Sequence, residues 1–267
     1  ICMKFSMRLP NHLLLATGIM AFLVILPSVL FPLMAGSAYR GLNIGNYGDD
    51  DTGYLAKGRE ILQGNPLGNV TMAVGKDGPD PHHVYVEYLW LIPLRALGLA
   101  DALDIVILYT VVTFLAVWLL MIVIGRLVYA WSGNRLLAVT APLMAVGGYT
   151  FILQYPIRVS PFTSDLNMFG RPVMPAFGVL AFFIFLYCLD RSLTQMNNRR
   201  WLWASGVALG ALFYTYFYAW SFAFALLGTF FVISVARRNW SAVKHLSIIG
   251  GVALLIGSYI IFHIVSF

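Results

Sequence analysis

"WLWASGVALGALFYTYFYAWSFAFALLGTFFVISVA", Trp201 to Ala236, decides how this chain folds. It carries no charged residue from end to end. As one helix rising 1.5 Å per residue it would run about 54 Å, against an apolar membrane core of about 30 Å. Both ends are basic, with Arg199 and Arg200 before it and Arg237 and Arg238 after it. Basic residues collect at the cytoplasmic ends of spans, so both ends belong on one side. The segment is therefore expected to be a hairpin of two short helices. It should turn near "YTYFYAW" (Tyr214–Trp220), whose rings suit the membrane interface.

Working outward, five further apolar segments cover 13–35, 104–125, 136–153, 173–189 and 246–265. With the hairpin they make about seven spans. Only 10% of the 267 residues are charged and 60% are hydrophobic, and mean hydropathy is +0.80. A soluble domain carries about a quarter charged residues. The fold class is therefore an all-α polytopic membrane protein. Leu13–Ala35 is longer than the roughly 7–15 residue core of a cleaved signal peptide, so it reads as a retained anchor. The small residues Ala35–Ala38 are the alternative, a cleavage site. Cys2 and Cys188 support no disulfide framework. The net charge of +6 comes from scattered loop residues, as orientation signals do, and points to no nucleic-acid partner.

The orientation rule assigns Lys4, Arg8, Arg126, Arg135, Arg191, Arg199, Arg200, Arg237, Arg238 and Lys244 to the inside. Ten of the eleven acids then fall outside, with Asp190 the exception. Acids contribute little to topology, so their segregation calls for a functional reason. Most lie in the first external loop, 36–103. Its first half reads as a helix opening on Asp50 and Asp51, with Tyr54, Leu55, Gly58, Ile61 and Leu62 on one apolar face and Gly64 at its stop. Gly68–Pro81 is loop. Val84–Leu99 reads as an amphipathic surface helix with Tyr88 and Trp90 at headgroup level.

Three consecutive carboxylates, Asp49, Asp50 and Asp51, exceed what a helix start needs. One acid caps a helix at roughly 0.3–1 kcal/mol, while three neighbours repel one another. The competing reading is a general base or metal ligand at the membrane face. His82 and His83 are either an exposed loop pair or a phosphate or metal contact. Arg158, Asp165 and Arg171 lie in the second external loop. There Arg171, beside the helix-opening Pro172, reads either as solvated or as a bidentate phosphate grip. His263 reads as an interfacial residue. No P-loop, dinucleotide fingerprint, HExxH or CxxC motif is present. "NVT" (Asn69–Thr71) matches a glycosylation sequon, a triplet common by chance.

One span followed by a large acidic loop carrying Asp50-Asp51-Thr52-Gly53-Tyr54 and Arg59-Glu60-Ile61-Leu62 resembles the GT-C superfamily. These are membrane glycosyltransferases that use polyprenyl-phosphate sugars, as protein O-mannosyltransferases and lipid A aminoarabinose transferases do. The specific pattern covers under twenty residues, while the topology covers nearly the whole chain. On this register Asp50 matches the catalytic aspartate, Asp51 the neighbouring acid, and Asp49 is an addition. The Pro-rich stretch before the second loop helix also corresponds. His82 and His83 stand where relatives carry a phosphate-binding lysine, a departure that bears on donor binding. The resemblance implies a single GT-C-like module over 1–267, lacking the C-terminal spans or soluble domain of full-length members.

It further implies a transferase in a bacterial inner membrane, with the acidic loop on the periplasmic side. Its partner would be a lipid-linked sugar donor among membrane lipids, with a membrane-protein partner as a further option. Asp50 would act as base in an inverting displacement. Asp51 or Asp49 would serve as helper or as ligand to a divalent ion (Mg or Mn). Tyr54, Arg59, His82, His83 and Arg171 would contact donor or phosphate. The rival class is a non-catalytic membrane subunit that keeps a GT-C-like module. A transporter is disfavoured, because no span carries a clear ionisable residue of the kind that lines ion paths.

Overall fold

A computed structural model describes residues 11–39, 49–64, 86–99, 104–153, 169, 174–215 and 217–265. The side chains of 49–52, 149–153, 174–175, 217 and 263–265 lie outside that description, as do Arg158, Asp165 and the Asn69–Thr71 triplet. Among the described residues there is no strand. Five helices are long and apolar enough to cross a membrane: α1 (Asn11–Ala35), α4 (Ile105–Ser132), α6 (Met174–Thr194), α8 (Phe217–Ala236) and α9 (Trp240–Val265). Two short helices, α2 (Asp49–Gln63) and α3 (Tyr88–Ala96), come from the loop between α1 and α4. α5 (Arg135–Leu143) continues as a π-helix over Met144–Leu153. Pro142 removes one donor from its α-helical ladder just before that change of winding.

The 201–236 segment is broken, as its length requires. α7 (Arg199–Ala211) ends in a 3₁₀ turn at Leu212–Tyr214, and α8 begins at Phe217. Neighbouring contacts set the directions. Gly206 lies under Val252 and Gly210 under Ile256, so α7 and α9 run parallel. α9 starts at Trp240, just after α8 ends at Ala236, and Gly250 faces Leu227 about midway along both, so α8 and α9 run antiparallel. α7 and α8 therefore point in opposite directions, yet α7 packs mainly on α6 and α9 rather than on α8. The rings at the turn are partly internal. Phe213 stacks on Trp220 at 4.8 Å, and the Tyr214 hydroxyl donates to the Ile256 carbonyl at 2.8 Å. Tyr218 stays exposed.

α4 is the axis of the first half. α1 lies antiparallel to it, with Gly18 against Trp118 and Leu13 against Gly125. Gly133, at φ 65°, ends α4 in the left-handed conformation that a glycine adopts without a Cβ clash. Asn134 then starts α5, accepting from the backbone N–H of Leu136 at 2.8 Å. Two apolar clusters result. One joins α1, α4 and α6, with Val24, Leu120, Met121 and Leu180 buried. The other joins α6 to α9, with Phe185, Leu209, Leu246 and Ile249 buried. Outward positions such as Leu15, Phe222, Val232 and Phe262 remain exposed and apolar, as suits a lipid solvent no more polar than the core.

Some spans overrun their apolar segments at one end. α4 continues past 125 to Ser132, and α9 begins at Trp240 rather than 246. Arg126 and Lys244 are exposed on those extra turns, since a long charged side chain lets a helix continue into the interface.

Candidate functional site

α2 and α3 form a two-helix roof over the first turns of α4. The start of α4 is fixed by Asp104, whose carboxylate accepts from the N–H of Val106 at 2.8 Å and of Ile107 at 3.2 Å. One turn later Tyr109 is 2% exposed. Its hydroxyl donates to the Tyr54 carbonyl at 3.0 Å, and its ring meets Trp90 edge-to-face at 4.7 Å. Leu55, Val86 and Val106 close around it, and Ile61, Leu62 and Leu91 form a second patch. Trp90 thus packs inward against Tyr109. The outward face of α3 carries Leu89, Ile92 and Leu97 instead.

The apolar face expected for α2 is the face that is buried. Gly58 makes it possible. A Cβ there would stand 2.5 Å from the Tyr109 hydroxyl oxygen and 2.9 Å from Cε2. The ring cannot retreat, held as it is by Trp90 and by its own hydrogen bond. Gly58→Ala is therefore expected to loosen α2 at a cost of about 1–3 kcal/mol. Gly53→Ala, with nothing within 4 Å, is expected to leave α2 seated. Hydrogen exchange over 49–64 reads the difference. Equal protection in the two variants would refute the close approach. At the C-terminal end of α2, Gly64 has φ 106°, and the Arg95 guanidinium lies against it, next to the carbonyl end of the helix dipole.

Helical register sorts the sequence candidates. At 100° per residue, positions 50, 54, 57 and 61 fall within about 60° of one another. Ile61 and Lys57 on that stripe are buried and Tyr54 is half-buried. Positions 49 and 51 fall to either side of it in register. Arg59 falls on the opposite side and is exposed. The helix therefore groups Tyr54 with position 50 and separates Arg59 from them. His82, His83 and Arg171 lie outside the described residues, and so do the side chains of Asp49, Asp50, Asp51 and His263. Among the described residues no three His, Cys, Asp or Glu groups converge as metal ligands do.

Two charged groups were missed in sequence. Lys57 is 5% exposed and Glu87 is 0% exposed, and both belong to the roof. Glu87 lies within electrostatic reach of Tyr109. Lys57 had a readable signal, its place in register with Tyr54 and Ile61. Glu87 had a weaker one, as a lone acid inside the apolar run "VYVEYLWL" (Val84–Leu91).

Comparison with protein-family models, with curated proteins and with solved structures finds no match for this chain.

Proposed function

We propose that the chain is a membrane glycosyltransferase of GT-C type, moving a sugar from a polyprenyl-phosphate donor to an acceptor outside the membrane. On this reading α5 with its π extension and α7 with its 3₁₀ turn complete seven crossings, and the α2–α3 roof faces outward. The observation that carries the proposal is the seating of α2. A helix opening on three carboxylates is clamped by Tyr109, Trp90 and Gly58 onto the end of a membrane helix. A prenyl-phosphate head is confined to that level by its lipid tail, so a base there gains by proximity alone.

The reaction follows from that arrangement. The Asp50 carboxylate takes the proton of an acceptor hydroxyl. The freed oxygen attacks the anomeric carbon from the face opposite the phosphate. The anomeric C–O bond breaks with its electron pair passing to the prenyl phosphate, and the configuration inverts. Cationic side chains stabilise the departing phosphate charge. Lys57, on the same stripe as position 50, joins His82, His83 and Arg171 as a candidate for that role.

The test is direct. The purified protein is reconstituted in vesicles with synthetic short-chain polyprenyl-phosphate sugars, and release of prenyl phosphate is followed by mass spectrometry. Donor consumption with formation of an inverted glycoside is the expected result. If no donor is turned over although the reconstituted protein is folded, the chain belongs with the non-catalytic membrane subunits.

A further inference from the structure

The end of the molecule away from the roof is built from three tight turns, α4–α5, α6–α7 and α8–α9. Side-chain contacts bring them together. The Trp131 indole N–H donates to Asp190 Oδ1 at 2.9 Å, tying the first turn to the second. The Ser241 hydroxyl donates to the Met196 sulfur at 3.7 Å, and a His245 ring nitrogen lies 3.1 Å from the Met196 carbonyl oxygen, tying the third to the second. From Tyr109 to Trp131 along α4 is about 33 Å, close to one hydrocarbon thickness. A membrane centred on α4 would therefore put this face and the roof at its two headgroup layers.

The face is strongly basic. Arg135 comes from the first turn, Arg191, Arg199 and Arg200 from the second, and Arg237, Arg238 and Lys244 from the third. Asp190 is the one acid there among the described residues, and a single carboxylate can neutralise only one of the seven. All but Arg191 are exposed, and Arg191 lies over the Tyr187 ring at 5.2 Å. Two helices even start on the wrong sign. α5 opens on Arg135 and α7 on Arg199 and Arg200, with no acid in either first turn, although the N-terminal end of a helix dipole repels cations. The arrangement disfavours the protein alone and favours it with anions laid over the face. Exposed indoles of Trp131, Trp203 and Trp240 ring the same end, at the depth where lipid glycerol meets headgroup.

We propose that this face binds anionic phospholipids, gathering lipids of net negative headgroup, such as phosphatidylglycerol, around the α6–α7 and α8–α9 turns. Arginine forks pair with the phosphate oxygens and the tryptophans hold the glycerol level. An open groove of about 760 Å³ at the α6–α7 turn, lined by residues 193–200, offers Arg199 and Arg200 to such a headgroup. The proposal stands apart from the glycosyltransferase reading, which concerns the opposite end.

The test uses the full chain in vesicles of phosphatidylcholine alone or mixed with phosphatidylglycerol, with spin-labelled lipids reporting which species the protein retains. The wild type is expected to favour phosphatidylglycerol by roughly fivefold, the worth of about one basic contact at a membrane surface. That preference should fall as salt is raised. In Arg199→Gln/Arg200→Gln/Arg237→Gln/Arg238→Gln it should vanish. If that variant does not fold, the salt titration of the wild type and the Arg237→Gln/Arg238→Gln variant carry the test. Equal retention of both lipids, a preference indifferent to salt, or displacement of the lipid by inorganic phosphate would each overturn the proposal.

Discussion

Asp50→Asn is expected to lower sugar transfer by about 100- to 10,000-fold, the range supplied by a positioned general base. The amide keeps the shape of the carboxylate but has no lone pair basic enough to take a hydroxyl proton. It should not disturb the fold, because Asn serves a helix start about as well as Asp. The comparison within the triad sharpens the expectation. Position 50 shares a stripe with Tyr54, Lys57 and Ile61, whereas positions 49 and 51 flank it. Asp49→Asn should leave transfer near wild type, and Asp51→Asn should fall between the two. The readout is initial rate in vesicles, with hydrogen exchange over α2 confirming that each variant is folded. Transfer by Asp50→Asn at the wild-type rate would remove Asp50 as the base.

The largest loss of stability is expected from Gly210→Leu. α7 and α9 run parallel with glycines at their contact, and a Cβ on Gly210 would stand 2.7 Å from Ile256 Cβ. The same test at Gly206 gives 2.8 Å to Val252 Cβ. These neighbours are branched at the atom that is struck, so no rotamer change relieves the contact. The two helices must separate, at a cost of about 3 kcal/mol. In a membrane this matters more than composition suggests, since lipid is as apolar as leucine and helices are held by close packing. Gly251→Ala, with nothing within 4 Å, is the control and should be neutral. Thermal unfolding in detergent reads both. A Gly210→Leu midpoint equal to wild type would refute the close α7–α9 seam.

How much of this was legible beforehand differs from element to element. The break in 201–236 followed from length alone, because no membrane core accommodates so long an apolar helix. The buried face of α2 was readable because a 3.6-residue period leaves few choices for Leu55, Gly58, Ile61 and Leu62. The ends of α4 and α9 were not. A hydropathy reading stops at the first charge, while a helix continues for as long as its backbone is bonded and its charged side chains reach water. The partner of Trp90 was not legible either. A helical period places a tryptophan on a face but does not say which ring it meets, and only the position of Tyr109 supplied that.

By itself the sequence determined that the chain is a helical membrane protein, where most of its helices lie, and that most of its acids fall between the first two long apolar segments. Those follow from the cost of burying polar backbone and charge in hydrocarbon, a cost each segment bears locally. Tertiary structure alone decided that α7 pairs with α9 rather than α8 and that Tyr109 clamps α2 through Gly58. Each depends on residues far apart in the chain meeting at contact distance, and no local period encodes which partner fills the space above a glycine.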